Sequence, residues 1–159
     1  MRRLVCVPLS TPQVEQLASG CLRNLAGFAA TETQMAAFGL DPASADDLEM
    51  AEYQAVCIAS VVCLLRGDRR IVATALVEVE PGGDEISGGS FGKVVVAELA
   101  AEDVVAVFVD EPEALGAAEA ASHSVQGLDL SAAWESPPVS SLLAEHGLLW
   151  HSLGEIADS

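Results

Sequence analysis

The segment nearest to a phosphate cradle runs Gly82-Gly83-Asp84-Glu85-Ile86-Ser87-Gly88-Gly89-Ser90-Phe91-Gly92-Lys93-Val94. A P-loop wraps backbone N–H groups around phosphates, places a lysine on them and follows it with Ser or Thr for magnesium. Here Ser87 stands where the loop's first glycine is needed, and Val94 follows Lys93. Asp84 and Glu85 would repel phosphate, and the segment leads into a strand-like run instead of a helix N-terminus. A hairpin-type connection is the expectation, with no nucleotide and no cofactor.

The histidines are His123, His146 and His151. Zinc needs three or four ligands at close spacing. His146, His151 and Glu155 could converge only if the chain turned at Gly147, and no HExxH occurs. No metal site is expected. Nucleophilic catalysis lacks GxSxG, and Cys6 and Cys21 have only Arg2, Arg3 and Arg23 as basic neighbours in sequence, leaving activation by a distant histidine open. No catalytic residue is assigned. Most carboxylates suit helix caps and solubility. Asp110 differs. It ends the apolar run Val104–Val109, and ligands of α/β sheets often lie near strand ends. Asp110 is the one candidate ligand-binding residue.

The positioning elements can be read from hydrophobic period and punctuation. Leu4–Leu9 reads as a strand, and Thr11 and Pro12 open a short helix that Gly20 ends. A second strand is expected over Ala26–Thr31 and a helical turn over Thr33–Phe38. The clearest element is a helix over Pro42–Arg66, or from Ser44. Acidic Asp46, Asp47, Glu49 and Glu52 lie near its positive end, and its second half, Ala55–Leu65, is apolar nearly all round. Such a helix lies in the core or in a dimer interface. Strands follow over Arg70–Glu80, Lys93–Leu99 and Val104–Val109, the last two as continuous β-branched runs that suit strands covered on both faces. A helix from Glu111 to Ser122, an irregular stretch over 124–138, a short helix over Val139–Glu145 and an extended segment over Leu148–Leu153 complete the chain. Trp150 either locks that last segment onto the sheet or faces a partner.

With 159 residues and no interdomain linker, the expectation is one α+β domain spanning 1–159, a mixed sheet of about five strands with the 42–66 helix packed on it. The net charge is −17, with 24 acidic against 7 basic residues. That excludes a nucleic-acid track and disfavours an anionic membrane surface. A basic protein partner suits the charge. Cys57 and Cys63 are six residues apart, so at about 100° per residue they face nearly opposite ways. Buried free thiols are expected for the four cysteines, as in a reducing cytoplasm. The apolar stretch at the N-terminus stops at Pro8 without a signal-peptide pattern, and Ala55–Leu65 is short for a membrane span.

Five segments, taken in order, resemble a family of small acidic actinobacterial proteins of uncharacterised function. They are Val5-Cys6-Val7-Pro8, Phe28-Ala29-Ala30-Thr31, Asp47-Leu48-Glu49-Met50-Ala51-Glu52-Tyr53-Gln54-Ala55, Val105-Ala106-Val107-Phe108-Val109-Asp110 and Leu149-Trp150-His151-Ser152-Leu153-Gly154-Glu155-Ile156. His151 stands where the family pattern suggests tyrosine. The resemblance implies a cytoplasmic single-domain protein and brings no cofactor or catalytic residue. The expected function is a non-enzymatic interaction or regulatory protein, a homodimer by virtue of its over-apolar helix. The alternative is a small-ligand-binding protein or enzyme with a site near Asp110.

Overall fold

The computed structural model describes residues 2–81 and 91–157. The chain forms β1 (Arg2–Pro8), α1 (Thr11–Ser19), β2 (Cys21–Phe28), α2 (Glu32–Ala37), α3 (Ala45–Leu65), β3 (Ile71–Glu78), β4 (Glu80–Pro81), β5 (Lys93–Ala100), β6 (Val104–Val109), α4 (Leu115–Val125), α5 (Leu130–Glu135), α6 (Pro137–Glu145), β7 (Leu149–His151) and α7 (Leu153–Ala157). One sheet has the order β4-β5-β2-β1-β3-β6-β7. Its five long strands are flanked by two short edge strands. The architecture is the expected α+β single-domain fold.

Every strand pairing among the described residues is antiparallel, where a mixed sheet was expected. The continuous apolar runs of β5 and β6 suit strands covered on both faces. Cover on both faces is found in β3, whereas β5 alternates between buried and half-exposed or exposed residues and β6 leaves Val105 exposed. In β3, Ile71 to Ala75 are all buried. Ala73, Ala75 and Val77 join Val5, Val7 and Val96 in a core closed by Val14 and Leu17 of α1 and by Leu153 and Ile156 of α7. Val72 turns the other way, with Cys6 and Phe28, onto Ala55, Ile58 and Ala59 of α3. A third cluster lies beyond α3, where Val61 and Leu64 meet Ala118, Ala121, Val139 and Leu142 of α4 and α6. α3 is therefore sandwiched, and each fully buried Val, Leu or Ile on it contributes about 1.5–3 kcal/mol.

α3 forms because Ser44 accepts from Asp47 N at 3.2 Å, and Asp46 and Asp47 sit in the first turn. Of the two expected starts, the later one is observed. Pro42 falls in a preceding turn, where Asp41 Oδ1 accepts from Ala43 N at 2.9 Å. The helix ends as Gly67, at φ 74°, sends its N–H to Leu64 O and Asp68 sends its own to Cys63 O. α3 is 21 residues long, and an 18-residue window of it, with mean hydropathy 1.6, meets the length and composition of a membrane span, yet half of that window is buried in this fold, as in a core helix.

Several expected boundaries shift. Ser10, not Thr11, caps α1, in a capping box with Gln13. β2 begins at Cys21. The stretch expected to be irregular contains α5, capped by Asp129, whose carboxylate accepts from Ala132 N at 2.8 Å. Trp134 of α5 makes edge contacts with Phe38 and Phe91, at ring-centroid distances of 5.9 and 6.1 Å. Those contacts hold α5, the end of α2 and the entry to β5 together.

Gly92 leads into β5 with φ 81°, and a Cβ there would lie 2.1 Å from Ala29 O. Its own carbonyl accepts from Ala29 N at 2.9 Å. The glycine before Lys93 thus serves close backbone packing. The loop residues 82–90 lie outside the described residues.

Candidate ligand-binding site

The middle of α3 and the sheet beneath it do not close completely on each other. A cavity of about 350 Å³ lies between them. That volume falls in the range of small-molecule sites. Tyr53, Val56, Cys57 and Ser60 line it from α3, and Thr74, Ala106 and Phe108 from the sheet. Leu143, His146 and Leu148, at the turn between α6 and β7, close one end. The rim is exposed and apolar: Tyr53 is 55%, Val105 54% and Trp150 60% accessible.

The rim follows from local irregularity. The β3–β6 register slips between Thr74 and Ala75, so that Thr74 pairs Ala106 while Ala75 pairs Val104. Val105 is the extra residue of a bulge, which bends β6 and aims its side chain outward. Trp150 pairs its backbone with Phe108 across β6 and β7. The final strand is held to the sheet by its backbone, while the indole itself stands at the cavity mouth.

Arg70 forms the floor. It is 1% exposed and precedes β3, where the chain leaves the turn after α3. Its Nε donates to Asp110 Oδ1 at 2.8 Å, Nη2 also donates to Oδ1, and Nη2 donates to His146 O at 2.9 Å. Asp110 Oδ2 accepts from Arg70 N at 3.3 Å. One guanidinium therefore ties together the start of β3, the end of β6 and the turn after α6. A buried ion pair of this kind holds only because each partner satisfies the other.

Electrostatics around the cavity are mild. Burial pushes the Cys57 thiol up, with a Tyr53 hydrogen bond and the Arg70 charge pulling it back. Partial burial, and then Glu49, raise the Glu52 carboxyl on the α3 wall. Deeper in the core, burial drives Cys6 up to about 12 and Cys63 to about 11. Cys6, Cys57 and Cys63 are buried free thiols, as expected, whereas Cys21 is half-buried. A raised pKa leaves a thiol protonated and weakly nucleophilic.

The structure distributes the sequence candidates as follows. Asp110 is 4% exposed and lies at the end of β6, between the apolar cavity and a second hollow lined by Arg69, Leu115, Ser122 and Gln126. Its carboxylate is occupied by Arg70, so it is Arg70 and not Asp110 that lines the apolar cavity. His146 and His151 do not meet. His146 Nδ1 lies 3.4 Å from Glu111 Oε1, and His151 Nδ1 lies 3.3 Å from Glu155 Oε2. Among the described residues no three His, Cys, Asp or Glu side chains gather at metal-binding distance. Arg70 escaped the sequence reading because, as the first residue of an expected strand beside Arg69, it carried no sign of a buried partner. The apolar run that ends at its partner Asp110 was the hint. Trp150 was singled out in the sequence, and Tyr53 could have been found as an aromatic residue in acidic and aliphatic surroundings.

No curated protein and no solved structure matches the chain. A family described only as of unknown function, DUF6912, matches residues 1–158, and the chain belongs to that family.

Proposed function

We propose that this protein is a non-catalytic binding protein whose ligand enters the apolar cavity between α3 and the sheet. One observation carries the reading: a hollow of about 350 Å³ with a mostly apolar lining ends on an arginine that is fully withdrawn from solvent. Apolar walls with a few convergent polar groups are the usual makeup of small-molecule sites. The neighbouring thiols are held protonated by burial, which suits binding better than nucleophilic chemistry. The four unbridged cysteines suit a reducing compartment such as the cytoplasm.

The test is titration with N-phenylnaphthylamine, an uncharged dye that brightens in apolar surroundings. Saturable enhancement is expected, and Val56→Trp, which fills the cavity from α3, should abolish it. Absence of saturable enhancement, or enhancement unaffected by V56W, overturns the reading.

Self-association is a second reading, favoured by the short edge strand β7, where Leu149 and Trp150 are 43% and 60% exposed. A second copy could extend the sheet there and cover the mouth of the cavity. Size-exclusion chromatography with light scattering decides it, and a strict monomer at high concentration eliminates it.

A further inference from the structure

We infer that the ligand of this cavity is an uncharged amphiphile: an aliphatic or aromatic body carrying one hydrogen-bond acceptor, such as a carbonyl oxygen, that bonds to Arg70 Nη1. This rests on the binding reading above and specifies its ligand class.

The first argument is an inventory of donors. Arg70 commits Nε and Nη2 to Asp110, and Nη2 also to His146 O. Among the described residues no acceptor takes a bond from Nη1, and Arg70 lines the cavity. The hydroxyls nearby are spent: Ser60 Oγ donates to Cys57 O at 2.6 Å and Thr74 Oγ1 to Ala106 O at 3.4 Å. Tyr53 lies at the rim and is 55% exposed. Arg70 Nη1 is therefore an open donor of the cavity, set among mostly apolar walls. A ligand that displaces water from that N–H without supplying an acceptor leaves it unpaired at a cost in free energy, so a ligand that supplies one gains relative to a ligand that does not.

The second argument is charge. The Arg70 cation is already neutralised by Asp110 at its side. An anionic head would lose its hydration and then meet Asp110 beyond Arg70 and Glu52 on the wall, in a chain whose net charge is −17. A cationic head would meet the guanidinium. A neutral acceptor satisfies the open N–H without either penalty.

Displacement of N-phenylnaphthylamine at neutral pH tests this, with methyl octyl ketone against decanoate as competitors. The ketone is expected to displace the dye at roughly tenfold lower concentration. In the paired variant Arg70→Met with Asp110→Ala, dye binding should persist while the ketone weakens about tenfold. Glu52→Gln sits on the half-buried wall and does not depend on the buried pair; it should narrow the gap between decanoate and ketone. Decanoate displacing as well as or better than the ketone overturns the inference, as does an unchanged gap in E52Q. In either case dye binding would still stand, so this failure is separate from failure of the binding reading, which shows as no dye binding at all. Should circular dichroism show the paired variant unfolded, the wild-type and E52Q ratios decide.

Discussion

Removal of the Asp110 carboxylate is the sharpest probe of how the site is built. In Asp110→Ala the Arg70 guanidinium, 1% exposed, keeps His146 O as its acceptor and loses its counter-charge. Breaking a buried ion pair on one side costs about 3–5 kcal/mol, because the remaining charge is stranded in a poor solvent. For a chain of 159 residues, each kcal/mol moves the melting temperature by about 2–4 °C, so a fall of roughly 6–20 °C is expected. Replacing both partners, as in Arg70→Met with Asp110→Ala, removes the stranded charge and should restore at least half of that loss. Recovery stays incomplete because His146 O loses its donor, at about 1–3 kcal/mol. Urea unfolding of the wild type, both single variants and the pair closes a thermodynamic cycle. A loss below about 1 kcal/mol in D110A would mean that the pair behaves as an exposed one. Additive single losses in the double variant would mean that the two groups are not coupled. Either result refutes the account of Arg70 as a charge held in place by Asp110.

Gly92→Ala should destabilise the fold by at least about 2 kcal/mol, through both its positive φ and the clash of a Cβ with Ala29 O; an unchanged urea midpoint would contradict the close approach. Alkaline stability should carry the signature of the buried thiols. Folded Cys6 and Cys63 ionise near 12 and 11, against the ordinary value of 9.0. The unfolded state therefore releases its thiol protons first. The stability these thiols allow is fully present below pH 9 and is lost as pH rises toward those raised values, with a limiting slope of about 1.4 kcal/mol per pH unit per thiol. In Cys6→Ala one thiol's share of that slope, measured by urea unfolding between pH 8 and pH 10.5, should vanish; an identical slope would show that Cys6 is not shielded. Native labelling with a thiol reagent should find half-buried Cys21 first, and an equal rate at Cys6 would contradict its burial.

Elements whose local and tertiary demands agree were legible in the chain. The α3 segment carries a Ser cap, early acids and an all-round apolar second half, and these are sufficient to place it as a core helix. The β-branched run of β6 likewise specifies a strand, although its cover fails at Val105. α5 and α7 were missed because helices of six and five residues have too few turns to show a period, and Trp134 is fixed by Phe38 and Phe91 from distant parts of the chain. The antiparallel sense was missed for a related reason. Covered antiparallel strands and parallel strands share one composition, and only the strand order and pairing set by the tertiary fold distinguish them.

By itself the sequence determined the composition of the core, the acidity of the surface, the principal helix and the absence of a recognisable reactive motif, since each depends on residue type and near neighbours alone. The site was decided by tertiary structure. Asp110 could be singled out as a carboxylate at a strand end, but its partner lies 40 positions away. Nothing local distinguishes Arg70 from the exposed Arg69 beside it. Only when β3 and β6 lie side by side, and the turn after α6 closes over them, does one arginine lose its water and become the floor of a cavity. The cavity itself depends on where α3 stops covering the sheet and on a bulge at Val105. Both are products of register, which is set by the packing of the whole domain.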